Sequence, residues 1–210
     1  MQAHRAVDIP EDLIDAVQFE IPEAPHDSVE HYLRRSITEF CEKSHFWQED
    51  IGPIRVVDNL EEYELSVPRR VSIVTVHQVF YTEHGKVIEL PRAAGDMSIR
   101  YWQPTPFTFV PEPKERLTGK DLSVIISLRP ELYNGSFKVS QFLIQEYREA
   151  LAAGAKASLY SVPRKPWTDF QLSQLNLSIF SRAAEAALRS QGRGYSRLPD
   201  RSVRKPRSFF

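Results

Sequence analysis

The strongest constraint on the fold is a change of hydrophobic period in the middle of the chain. From Ile51 to about Arg129 the sequence runs as short segments rich in β-branched and aromatic residues: IRVV, EYELSV, VSIVTVHQVFY, KVIEL, IRYW and LSVIISL. Prolines and turn residues separate them, which is the pattern of short strands. On either side the apolar residues recur with a period near 3.6, so the chain can be neither all-α nor all-β. The expected fold class is α+β, a helical bundle with a small antiparallel β-domain inserted over 51–130. Glu83-His84-Gly85-Lys86, between VHQVFYT and VIEL, carries the signature of a hairpin. QPTPFTFVPEP is too rich in proline for a central strand and is expected at an edge or as an extended arm.

Three helices are expected around the insertion, over 27–47, 136–160 and 168–191. In the first, Asp27 can cap the helix with Glu30 as its capping-box partner, and Val29, Leu33, Ile37 and Cys41 form one line beside Tyr32, Ser36 and Phe40. The second follows a turn at Asn134-Gly135 and starts at Ser136. Val139, Leu143, Tyr147 and Leu151 share its face, and Ala153, Gly154, Ala157 and Ser158 leave room for a close neighbour. Val162-Pro163 and Lys165-Pro166 end it. The third starts with Thr168 as cap, Gln171 as its partner and Trp167 facing Leu172. Leu175, Ile179, Ala183 and Leu188 continue one stripe, broadened by Leu177, Phe180, Ala184 and Ala187. So wide a stripe fits the central helix of a three-helix bundle, or a helix one side of which meets a second subunit.

Charge separates the two ends from the body between them (27–191). The 210 residues carry a net charge of −1, yet seven bases face one acid from Arg189 onward, leaving the tail about +6 and the rest about −7. Residues 192–210 hold Gly192, Gly194, Pro199 and Pro206 and few apolar side chains, so an extended basic tail is expected. Residues 1–26, with Pro10, Pro22, Pro25 and many acids, are expected as an acidic arm with a short helix around Glu11 to Phe19. The tail can neutralise phosphates. It can also clamp a protein, with Phe209 and Phe210 as anchors and Arg201, Arg204, Lys205 and Arg207 paired to carboxylates. A solvated tail is the plain alternative.

Signals of catalysis are poor. Apolar residues make up 41% and charged residues 26%, a globular composition with no run long enough for a membrane helix and no secretory leader. Six histidines show no metal-binding spacing, and eight glycines form no phosphate loop. One cysteine excludes an internal disulfide and suits a reducing compartment. Cys41 lies on the apolar line of its helix and reads as a buried thiol. Glu61, Glu62 and Glu64 flank a strand and read as a solvated face. The expectation is a protein without catalytic centre, metal or cofactor.

Several of these segments, in their order, resemble bacteriophage head-to-tail adaptor (connector, or gatekeeper) proteins of short-tailed phages. The capped helix HYLRRSITEFCEKSHFW, with Phe40-Cys41 followed by Trp47, is similar to the opening of that family. EYELSVPRRVSIVTVHQVFYTEHGKVIEL looks like its β-insertion. EALAAGAKASLYSVPRKPWTDFQLSQLNLSIFSRAAEAALRS looks like its small-residue helix, Pro-x-x-Pro-Trp turn and last long helix, before a basic tail. The likeness spans roughly Asp27 to Phe210. It implies a virion protein, assembled in the host cytoplasm, that forms a homo-oligomeric ring, typically a dodecamer, beneath the portal. It further implies docking of nozzle or fibre proteins, a channel through which genomic DNA passes without sequence-specific binding, and no cofactor. The tail residues Arg201, Arg204, Lys205, Arg207, Phe209 and Phe210 would reach along the portal protein. A nucleic-acid-binding protein using the same tail is the alternative.

Overall fold

The computed structural model describes residues 6–92, 99–132 and 137–191. The chain opens with a two-residue strand, Ala6–Val7 (β1), and a helix, Glu11–Glu20 (α1). The helix expected near Glu11 to Phe19 therefore forms, but the segment is no free arm. Leu13, Ile14, Val17 and Ile21 fall on one face at helical spacing and are buried, which holds α1 against the helices that follow it in the sequence. Arg148 to Asp12 (2.9 Å) and Lys156 to Glu20 (2.9 Å) tie its acidic side down.

The helix His26–Ser44 (α2) buries Val29, Leu33, Ile37, Phe40 and Cys41, the line read from the sequence. Its start differs from expectation. Pro25 occupies the N-cap and Asp27 lies inside the first turn without capping through its side chain. Proline needs no hydrogen-bond partner for its nitrogen there. Glu30 cannot close a capping box because its carboxylate accepts from Arg34 Nε at 3.1 Å, one turn on. Asp27 still places negative charge at the positive end of the helix. At the other end His45 is left-handed (φ 51°) and its N–H donates to Cys41 O at 3.0 Å.

The insertion holds two antiparallel sheets. Gln48–Arg55 (β2), Val71–Glu83 (β4), Lys86–Leu90 (β5) and Asp121–Pro130 (β8) form one, in the order β2-β8-β4-β5. In β8, flanked on both sides, Leu122, Val124, Ile126 and Leu128 alternate into the core and are fully buried. The β4–β5 hairpin turns at His84 (φ 50°) and Gly85 (φ 75°), both left-handed as a two-residue hairpin requires. Tyr63–Glu64 (β3), Arg100–Thr105 (β6) and Thr108–Glu112 (β7) form the second sheet, in the order β3-β7-β6. The proline-rich stretch thus divides. β6 is an edge, as expected, whereas β7 lies in the middle. Its Pro111 is tolerated because β3 pairs only with Thr108 and Phe109 and stops short of the proline. A single turn, Lys114–Leu117 (α3), links this sheet to β8.

Val139–Ser140 (β9) pairs with β1, and the helix Gln141–Tyr160 (α4) follows. It begins later than Ser136; that residue and the Asn134-Gly135 turn lie outside the described residues. The backbone at Tyr147 leaves the helical region (φ −119°, ψ 21°) and bends α4. The last helix is Phe170–Gln191 (α5). Its cap is Asp169 and not Thr168: Asp169 Oδ1 accepts the N–H groups of Gln171 and Leu172, each at 2.9 Å. The Thr168 hydroxyl is committed to the preceding proline turn, donating to Val162 O at 2.5 Å and accepting from Lys165 N at 2.9 Å.

The molecule is a mixed α+β fold in which α2, α4 and α5 touch one another pairwise and α2 lies against β8. Their meeting point is Gly154 in α4. An added Cβ would collide with Ser36 Oγ and reach Phe180 Cδ2 at 2.6 Å. Ser36, buried in α2, donates to Leu151 O at 2.8 Å, so it cannot swing away without leaving its own buried hydroxyl without an acceptor. Gly154→Ala should cost about 1–3 kcal/mol, as overpacking of a close contact does, measured as a lower urea midpoint with unchanged slope.

The helix-to-sheet junction carries a histidine pair. His45 Nδ1 lies 3.2 Å from Ser127 Oγ on β8, and its ring meets His77 of β4 edge-on at 5.3 Å. Burial lowers the pKa of both, and for His77 the neighbouring His45 adds to the effect. The unfolded chain therefore takes up protons first as pH falls below about 6.5, so stability is full above that value and declines on acidification. His45→Asn with His77→Gln should flatten the fall in thermal midpoint between about pH 7.5 and 5. Asparagine keeps the left-handed cap.

Candidate functional site

Cys41 is fully buried and burial pushes its thiol up to about 12, which holds it protonated at neutral pH. Among the described residues no group of three or more His, Cys, Asp or Glu side chains is arranged to hold a metal ion. No described helix is long and apolar enough to cross a membrane. The features that stand out are two surfaces.

The first is α5. At 3.6 residues per turn, its inward line is Asn176, Phe180, Ala184 and Ala187, all buried. The stripe expected to face the bundle is thus turned. Leu175, Ile179 and Leu188 point outward, and Leu172, Leu177 and Phe170 join them; Phe170 is 62% and Leu175 57% exposed, against 1% for Phe180. The reason is the small-residue face of α4, where Ala150, Ala153, Gly154 and Ala157 let a helix approach only if its own contact side is mostly small. Ala184 and Ala187 satisfy that, with Phe180 seated over Gly154 against Phe40 at 5.8 Å between rings. The leucines are displaced to the two flanks, Leu172, Leu175 and Ile179 on one, Phe170, Leu177 and Leu188 on the other. Ile179 and Ala183 border an open cavity of about 440 Å³ at the Tyr147 bend of α4. Glu185, Arg182 and Arg189 lie on the outward side between the flanks.

The second surface is a groove of about 750 Å³ on the three-stranded sheet, bounded by β6, β7, α3 and the turn before β3. Trp102, 43% exposed, and Pro104, Pro111 and Pro113 line it together with Glu61, Glu62 and Glu115. Glu61 and Glu62 are exposed, as read from the sequence, but they belong to a concave wall. Glu64 follows in β3. Trp102 was not singled out by any sequence pattern; a tryptophan between IRY and QPTP is the one signal that could have marked it.

The tail positions Arg201, Arg204, Lys205, Arg207, Phe209 and Phe210 all lie outside the described residues. Comparison with known protein families and with curated proteins finds no match. Function must therefore be argued from the surfaces themselves.

The two faces of α5 separate cleanly by mutation. Phe180→Ala should lose about 3–5 kcal/mol, the range for a buried aromatic. Leu175→Ser with Ile179→Ser should change the stability of the isolated chain by less than about 1 kcal/mol. Urea denaturation at equilibrium distinguishes the two outcomes.

Proposed function

We propose that the chain is a structural subunit of a ring that joins the portal to the tail of a short-tailed bacteriophage. In this reading α2, α4 and α5 form a three-helix bundle from which the β-domain projects. The observation that carries it is the exposed leucine, isoleucine and phenylalanine array on both flanks of α5. A helix with apolar flanks on either side of its buried line has surface for a neighbour on each side, which is what a closed ring of identical subunits needs. The resemblance of the helix order, the β-insertion and the Pro-x-x-Pro-Trp turn to adaptor proteins supports the same reading. The basic tail would reach the portal, nozzle or fibre proteins would dock on the outer body, and genomic DNA would pass through the ring. The subunit would be resident in the virion and would act without catalysis or a cofactor.

A second reading, binding of nucleic acid through the basic tail, is favoured only by the charge of residues 192–210, and the same experiment separates it. Mass measurement in solution, alone and with a portal ring, should show a discrete multimer of the chain at least on the portal. Leu175→Glu with Ile179→Glu should leave the monomer folded and abolish that multimer, since each buried carboxylate would lack a partner. A chain that stays monomeric with every portal offered, but binds generic DNA with steep salt dependence, would overturn the ring in favour of the second reading.

A further inference from the structure

The groove on the three-stranded sheet has an unbalanced charge. Arg100 and Glu112 neutralise each other at 3.0 Å, and Lys114, whose Nζ donates to the backbone carbonyl of Asp58, leaves one positive charge against the three carboxylates of Glu61, Glu62 and Glu115. Glu61, Glu62 and Glu115 have no cation within ion-pair distance among the described residues. They surround an exposed indole flanked by prolines on an edge strand. Aromatic and proline surfaces of this kind suit an extended, proline-containing peptide, and the carboxylates ask for a basic one.

The chain contains such a peptide. After Asp200 the sequence reads RSVRKPRSFF, four bases and no acid, with Pro206 among them. Arg201, Arg204 and Arg207 recur every third residue. A polyproline-type helix has three residues per turn and a rise of about 3.1 Å, so this spacing sets three guanidinium groups on one face about 9 Å apart. Nineteen residues follow Gln191. Extended, they reach about 60 Å, further than the roughly 44 Å length of the thirteen-residue strand β4. The segment is long enough for the groove of its own molecule or of a neighbour.

We infer that this groove holds the chain's own residues 201–210, with arginines on Glu61, Glu62 and Glu115 and the segment laid across Trp102. The groove keeps the segment on the body until another protein takes it. The inference does not rest on the portal reading, because it concerns the chain alone.

Trypsin digestion of the full chain, followed by intact mass, reads release of the segment as cleavage after Arg201 and Arg204. Cleavage rate follows the population of the open form. Glu61→Gln, Glu62→Gln and Glu115→Gln together leave the buried core untouched and are expected to speed that cleavage about tenfold or more. Trp102→Ala should act in the same direction. A synthetic peptide of residues 197–210 should compete with the tail of the unaltered chain and speed its cleavage. Protection that grows with protein concentration assigns the segment to a neighbouring molecule; protection independent of concentration assigns it to its own. Cleavage rates that respond neither to the glutamine variant nor to the peptide overturn the inference. A segment that is free of the groove yet needed for portal attachment would overturn this inference and leave the ring proposal standing.

Discussion

The helical half of the molecule depends on a missing side chain. Gly154 is the point at which α2, α4 and α5 come close enough to share contacts, with Ser36 on one side and the Phe180 ring on the other. Around it the interior closes through a chain of ring contacts: Phe180 against Phe40, Phe40 against Tyr147 at 4.8 Å, Tyr147 against Phe46 at 4.8 Å. Phe46 and Trp47 then lead straight into the sheet, and Leu128 N of β8 donates to Trp47 O at 2.7 Å. The tight helix contact and the buried strand are therefore parts of one continuous core. Dense interiors transmit strain in this way, since there is little void to absorb a displacement.

That close contact also explains the surface. Two helices that approach through alanine and glycine gain packing density but bury little apolar area per residue. The large side chains of α5 have no place in so narrow a gap and stand on either side of it. The outward hydrophobicity of α5 is thus a direct result of how tightly its inward side is packed. Small inward and large outward residues on one helix leave contiguous apolar surface on a body whose interior is already closed.

The parts that could be read from the sequence are those in which one local pattern decides. The β4–β5 hairpin followed from His84-Gly85, and the buried line of α2 from Val29, Leu33, Ile37 and Cys41. The run LSVIISL marked a strand, and it forms as β8 with Leu122, Val124, Ile126 and Leu128 alternating into the core. Errors arose where two local options competed. Asp27 looked like a cap, but Pro25 took the position and Arg34 took Glu30. Thr168 looked like a cap, but its hydroxyl closed the proline turn and Asp169 took the helix. Of the wide stripe on α5, Phe180, Ala184 and Ala187 face inward while Leu175, Ile179 and Leu188 do not. Leucine outweighs alanine in any hydrophobic count, whereas the distance between helices is set by the smaller residue. The groove joins Glu61, Trp102 and Glu115, which are far apart in sequence, so no local pattern could have shown it.

The β-domain enters and leaves the helical layer at one place. Gln48 at the start of β2 is paired in register with Ser127 near the end of β8, and Arg129 is joined there to Glu42 of α2. Some eighty residues lie between two adjacent points of attachment, while β1, which precedes α1, is paired with β9, which precedes α4. Such an arrangement is modular in the genetic sense. Strands, turns and grooves beyond the junction can be lengthened, shortened or exchanged with no change in the spacing of α2 and α4, so long as the two connecting strands still emerge side by side. One helical frame can thereby carry β-domains of different size and surface.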